Sequence, residues 1–242
     1  MALISDIIKR TKENQREYGL PYALRFDVNI LKNLMFYPYY KSAHRGTFLF
    51  KNKELGYFNH WYNTTYVNER SIEIPIAVDF IRNHPPERIL EIGNVLSHYF
   101  PFHHLVIDRY ETGGNVKNID IVRLQLGRQY ERIVSISTME HVGWDDRPQN
   151  PGKLSKSIGI IKDHLTPDGK FLMTFPIGYN PVLDDTMDRH EIAFSEVYYY
   201  KKDVGNTWFP CEWKDIRDLK GGFPDFAARG IVVGIITKQP GL

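Results

Sequence analysis

The sequence predicts an α/β protein with a mostly parallel central sheet, helices on both faces, and an N-terminal helical and aromatic extension. Two observations carry this. After Pro85-Pro86, short apolar runs alternate with helical stretches, the texture of parallel strands joined by crossover helices. Before that break, aromatic residues crowd together without a clean period. The 242 residues, 42% of them hydrophobic, suffice for one sizeable core. The expected division is an extension or lid over residues 1–83, packed on a domain over 84–242.

Each element follows in order. In residues 3–17 (LISDIIKRTKENQRE), Leu3, Ile4, Ile7 and Ile8 precede a charged run, the pattern of an amphipathic helix with one packed face. Between Phe36 and Tyr66 come FYPYY, FLF and YFNHWYNTTY, with Pro38, Gly46 and Gly56 as turn punctuation, which reads as an irregular lid or an extra packing layer. The segment 67–83 (VNERSIEIPIAVDFIRN) has helical apolar spacing, with Pro75 either in the first turn or kinking the helix. Strands are expected at 88–92 (RILEI), 104–108 (HLVID), 132–137 (RIVSIS), 170–175 (KFLMTF) and 230–237 (GIVVGIIT). A helix is expected over 152–164, ending before Thr166-Pro167-Asp168-Gly169.

Charge and cysteine usage narrow the class. Net charge is +2, with Lys and Arg scattered among acids, so the basic stripe of a nucleic-acid binder is missing and a small or neutral partner fits better. One cysteine, Cys211, excludes an intramolecular disulfide framework. With no apolar signal region and no spanning apolar run, the expectation is a soluble, cytoplasmic protein with no membrane partner. The oligomeric state is not legible.

In an open parallel sheet, ligands bind beyond the carboxyl ends of the strands where the chain order reverses, so the loop after 88–92 is the first place to look. A dinucleotide fold needs a second and a third glycine there for pyrophosphate and helix packing, yet ILEIGNVLSHYF carries Gly93 alone. A pyrophosphate-binding nicotinamide site is therefore disfavoured. S-adenosylmethionine brings no phosphate and tolerates fewer glycines. Gly93 makes the tight turn, Leu96 is expected to pack on the sheet, and the loop amides are expected to remain available to a carboxylate tail. Asp108, ending LVID, either accepts ribose hydroxyls, or pairs with Arg109 or caps a turn.

The ordered set ILEIG, VIDRYE, NID at 118–120, IVSISTMEHVGW at 133–144 and LTPDGKFLMTFPIGYNP at 165–181 resembles the Rossmann-like class of S-adenosylmethionine-dependent methyltransferases. The last strand, GIVVGIIT, is similar to that family's closing strand. The resemblance implies S-adenosylmethionine as cofactor, with Glu91 and Gly93 beside it, Asp108 on the ribose and Asp120 near the adenine. It also implies that Ser137 and Thr138 face the methionine portion, and that Glu140 and His141 stand at the acceptor side. The loop departs from the family in lacking its second or third glycine.

Methyl transfer depends chiefly on holding donor and acceptor in line, with a base for a hydroxyl acceptor. His141 is the candidate base, set against a packing role for EHV. Tyr179 and Asn180 turn over the same rim and either contact the acceptor or make a turn. Asp145 and Asp146 read as turn decoration with Gly143 and Pro148. No tight ligand motif forms among His98, His103 and His104 or around His141, so no metal is expected. Tyr57, His60, Trp61, Tyr62 and Tyr66 read as core in preference to a stacking lid. The leading expectation is methyl transfer to a small-molecule acceptor such as a sugar hydroxyl. The alternatives are a non-catalytic scaffold of the same fold and, more weakly, a nicotinamide oxidoreductase.

Overall fold

The computed structural model describes residues 11–12, 15–16, 19–43, 46–220 and 228–239, so the helix expected over 3–17 falls largely outside the described residues. The described chain begins with a long helix, α1 (Leu20–Ala43), followed by a hairpin of β1 (Thr47–Phe50) and β2 (Lys53–Gly56). From sequence, Phe36–Ala43 belongs to an irregular lid or an extra packing layer. These residues instead form the last turns of α1, with Pro38 inside the helix.

The helix expected over 67–83 is α2 (Arg70–Ile81), and Pro75 lies in its interior. Proline has no N–H for the carbonyl four residues back. That carbonyl, on Ser71, accepts the Phe58 N–H at 2.9 Å instead, so the proline's gap anchors the preceding loop.

Among the described residues the main sheet has eight strands, in the order β5-β4-β3-β6-β7-β10-β8-β9. From β3 (Ile89–Ile92) the chain steps one way through β4 (Leu105–Asp108) and β5 (Val116–Asn118), all parallel. It then returns to the other side of β3 with β6 (Tyr130–Ile136) and β7 (Leu165–Pro176), again parallel. The order therefore reverses between β3 and β6. Two further strands, β8 (Glu196–Lys202) and β9 (Trp208–Cys211), form the far edge, and β10 (Gly230–Thr237) inserts antiparallel between β7 and β8.

Strand alternation explains why the sequence reads as continuous apolar runs, since both faces are buried. Ile89, Val134, Ile136, Leu172, Ile231 and Val233 pack with Ile72 and Ile76 of α2 and with Phe48 and Phe50 of β1. Leu90, Ile133, Phe171, Met173, Phe175 and Val232 pack on the other face. There they meet Leu154 and Ile161 of α3 (Gly152–Asp163), and Leu183 and Met187 of α4 (Pro181–Asp188).

The five expected strands are present. β7, however, starts at Leu165 and includes Thr166–Gly169, ahead of the strand expected over 170–175. Asp168 sits there at φ +60°, and the chain beyond β10 holds it, with Asp168 N–H donating to the Lys238 carbonyl at 3.1 Å. No described helix is long and apolar enough to cross a membrane.

Candidate functional site

Above the carboxyl ends of β3, β4 and β6, at the reversal of strand order, opens a cavity of about 650 Å³. Its walls come from three loops: Ile92–Val95, Ile107–Tyr110 and Thr138–Asp145, with Ile119–Ile121 and Lys153 closing the far side. Topology puts it where ligands bind in doubly wound sheets, and its size suits a nucleoside-sized ligand.

Gly93 adopts φ +85° and donates its N–H to the Ile107 carbonyl at 2.8 Å. The next three amides are also engaged. Asn94 N–H donates to Asp108 Oδ2 at 2.9 Å, while Val95 and Leu96 N–H both donate to Glu91 Oε1, at 2.9 and 2.8 Å. The expectation of free loop amides is therefore corrected. Short of glycines, the loop holds its shape by spending its N–H groups on carboxylates. Leu96 does pack down, fully buried.

Glu91 does not line the cavity. It is fully buried, and its second oxygen meets His104 Nε2 at 2.7 Å, itself buried. A buried carboxylate requires such partners. Its placement beside a cofactor becomes that of a latch beneath the loop.

Asp108 lines the cavity. Its Oδ1 accepts the Tyr110 and Glu111 N–H groups at 2.7 Å each, which realises the turn-capping reading and not the Arg109 pair. A carboxylate offers about four lone-pair sites. Three take backbone amides, leaving one unused by the backbone.

Asp120 also lines the cavity. Its Oδ2 accepts from Lys153 Nζ at 2.7 Å, and Lys153 reaches Asp146 at 2.9 Å. Arg109 bridges the same two carboxylates. Burial pulls the Asp120 carboxyl upward, but Lys153, the Val122 amide and Arg109 together hold it below its ordinary value. Asp146, read as turn decoration, is thus part of a network closing the cavity.

Ser137 and Thr138 diverge. Thr138 faces the cavity and packs against Gly93. Ser137, at φ +37°, turns its Oγ toward Glu73 of α2, donating at 2.7 Å, so its expected place by the cofactor is corrected. Beside it Arg70 donates to the Ile136 carbonyl at 2.9 Å and lies 3.6 Å from Glu73. This pair of a half-buried Arg70 and a fully buried Glu73, inside VNERSIEIP, escaped sequence reading because helical periodicity alone explained the segment. Its signal was two acids and an arginine among residues that had to be buried. Burial raises the Glu73 carboxyl despite Arg70.

At the acceptor side, Glu140 is 2% exposed and outside the cavity wall, so its contact with an acceptor is corrected. Burial, and secondarily Glu73, push its carboxyl up to about 7, against the pull of His141. Asn180 is also buried and structural. It caps α4 by accepting the Val182 and Leu183 amides, and donates Nδ2–H to the Glu140 carbonyl at 2.7 Å. His141 does reach the cavity, its side chain 44% exposed. Tyr179 stands edge-on to it with ring centroids 4.6 Å apart. Within the aromatic cluster, Tyr66 is fully buried as expected, whereas Trp61 is exposed.

Fold and topology define a Rossmann-like α/β protein with a cavity at the switch point of its sheet. No protein-family model matches the chain, and no curated protein matches it. Among solved structures it is similar to the N-methyltransferase NodS from Bradyrhizobium japonicum WM9 in complex with S-adenosyl-L-homocysteine. Identity is 12% and the TM-score 0.43, covering 71% of this chain and 88% of that one. It is also similar to an rRNA methylase from Streptococcus thermophilus, at 11% identity and a TM-score of 0.41, covering 69% and 97% of the two chains. A third is an S-adenosylmethionine-dependent methyltransferase from Clostridium acetobutylicum, at 13% identity and a TM-score of 0.39, covering 72% and 93%.

Proposed function

We propose that the protein transfers a methyl group from S-adenosylmethionine to a hydroxyl of a small-molecule acceptor. The observation that carries this reading is the loop after β3. Its amides from Gly93 to Leu96 are all engaged within the protein, and only a three-residue 3-10 turn, Leu96–His98, follows. A pyrophosphate needs free amides and a helix N-terminus, and this loop offers neither. The cavity nonetheless suits an adenosine. Apolar Ile92, Ile107, Ile119 and Ile121 offer faces for a base, and Asp108 and Asp120 offer carboxylates for hydroxyl and amino groups.

When bound, the donor supplies an electrophilic methyl on a sulfonium. Asp108, Asp120 and Thr138 are the residues proposed to hold it. His141, from the same loop as Thr138, takes the acceptor's proton. An acceptor without phosphates or a nucleic-acid backbone fits the scattered surface charge.

One observation favours a second reading. Engaged amides also deny a partner to the donor's carboxylate tail, which a scaffold protein that has lost its donor would show. Thermal melting decides. S-adenosylhomocysteine at millimolar concentration, about a thousandfold over a micromolar constant, stabilises a true site by about 4 kcal/mol, and NAD does not. No shift with either ligand establishes the scaffold reading.

A further inference from the structure

We infer that Asp145 is a positioning residue for His141, fixing the imidazole with its proton on Nδ1 so that Nε2 is the atom that accepts the substrate's proton. The inference rests on the reading of His141 as base. It adds a residue that sequence patterns had assigned to a turn, and it gives Tyr179 a different task from touching the acceptor.

The geometry is specific. His141 Nδ1 and Asp145 Oδ2 lie 2.7 Å apart, the length of a charge-assisted hydrogen bond. Asp145 sits one turn on, its N–H donating to the His141 carbonyl at 3.1 Å, so backbone and side chain fix the same pair. Tyr179, arriving from the loop after β7, donates its hydroxyl to Asp145, 3.1 Å from Oδ1 and 3.2 Å from Oδ2. The carboxylate is therefore held from a second element. A histidine without an acceptor on Nδ1 has no fixed tautomer, and one whose Nδ1–H is held presents a basic Nε2.

The other ring nitrogen is differently placed. Nε2 lies 3.8 Å from Glu140 Oε1, beyond hydrogen-bond length. In the proposed step the acceptor's O–H bond breaks, its electron pair stays on oxygen, and the proton forms a bond with Nε2. The resulting imidazolium is held by the Asp145 carboxylate. The groups facing the ring are Asp145 and Glu140 from its own turn, Tyr179 from beyond β7 and, farther off, Arg70 of α2. Burial pulls the imidazole down and Arg70 adds to that, but Asp145 and Glu140 outweigh them and raise it. A base poised in this way suits a hydroxyl, which must shed a proton as it attacks.

The test is nitrogen NMR on the full chain labelled at histidine, with the His141 signals assigned by their loss in His141→Gln. The expected result is an Nδ1–H tautomer in the neutral ring and a titration above that of free histidine. Asp145→Asn should lower that titration and abolish the tautomer preference, and Tyr179→Phe should shift both in the same direction by less. An Nε2–H tautomer in the wild type, or a titration unmoved in both variants, overturns the inference. Binding of S-adenosylhomocysteine to the wild type is measured alongside. Its absence defeats the methyltransferase reading while leaving the tautomer result standing, so the two failures are distinguishable.

Discussion

Gly93 and Thr138 approach so closely that residue 93 has no room for a side chain: an ideal Cβ there would lie 2.1 Å from Thr138 Oγ1. Gly93 also holds φ +85°, a conformation strained for other residues. Gly93→Ala is therefore expected to destabilise the fold by about 2 kcal/mol or more and to weaken S-adenosylhomocysteine binding. Urea unfolding and calorimetry check both. A variant as stable as the wild type would mean that the loop relaxes freely and that the Gly93–Thr138 approach does not fix its shape.

Asp108 lines the cavity and has one lone-pair site left after three backbone amides are counted. Asp108→Ala should weaken S-adenosylhomocysteine binding by about 1–3 kcal/mol through a lost hydroxyl partner. The measurement is a calorimetric dissociation constant on protein shown by circular dichroism to be folded. An unchanged constant would remove Asp108 from the site.

Glu91 carries two loop amides on one oxygen and His104 on the other. Removing Glu91 leaves two loop amides and the buried His104 ring without their partner, at about 1–3 kcal/mol for each unsatisfied group. Glu91→Ala should lower stability on that scale and unfasten residues 94–96, read as faster amide hydrogen exchange in the loop. Stability lowered with loop exchange unchanged would separate the latch from the loop's shape.

The Glu140 carboxyl is pushed up to about 7, chiefly by burial. The folded protein thus retains this proton to higher pH than the unfolded chain does. Its contribution to stability is full below the ordinary glutamate range and is lost as pH rises through about 7. Glu140→Gln keeps the neutral shape and should exceed the wild type in stability at about pH 8.5 by on the order of 2 kcal/mol, with no advantage at about pH 5. Denaturant midpoints at the two pH values check the sign, and an equal difference at both would exclude Glu140 as the titrating group.

Residues before Pro85 are proposed to be a layer of the same folding unit. Phe48, Phe50, Ile72 and Ile76 share one apolar cluster with Val134, Leu172 and Ile231 of the sheet. Limited proteolysis should release no stable fragment spanning residues 1–83. Recovery of such a fragment in folded form would establish an independent domain.

Much of the fold was legible. The five strands buried on both faces announced themselves as apolar runs, because a strand covered on two sides leaves no polar alternation to confuse the reading. Other elements stayed hidden. Val116–Asn118 is too short to show a pattern, and α1 carries the proline and aromatic residues that signal a turn or a packing layer. The last two strands of the sheet, Glu196–Lys202 and the edge strand Trp208–Cys211, show no clean alternation of buried and exposed positions.

In the site, the sequence by itself determined which loops would meet: those after Ile92, Asp108 and Ile136, since parallel strand order brings their carboxyl ends to one rim. It also determined that the loop after Ile92 would be short of glycine, and so unsuited to a pyrophosphate. Only the tertiary structure decided where each side chain points. Glu91 and Asp108 both read as cofactor carboxylates, yet one latches the loop from below and the other lines the cavity. Ser137 and Thr138 are neighbours in sequence but face α2 and the cavity respectively. Asp145, a turn residue by pattern, became the partner of His141 because Tyr179, 34 residues away, holds it in place. The physical reason is common to all of these: a motif specifies residue type and backbone path, whereas the direction of a polar side chain is set by the buried partner it must satisfy, and that partner comes from elsewhere in the chain.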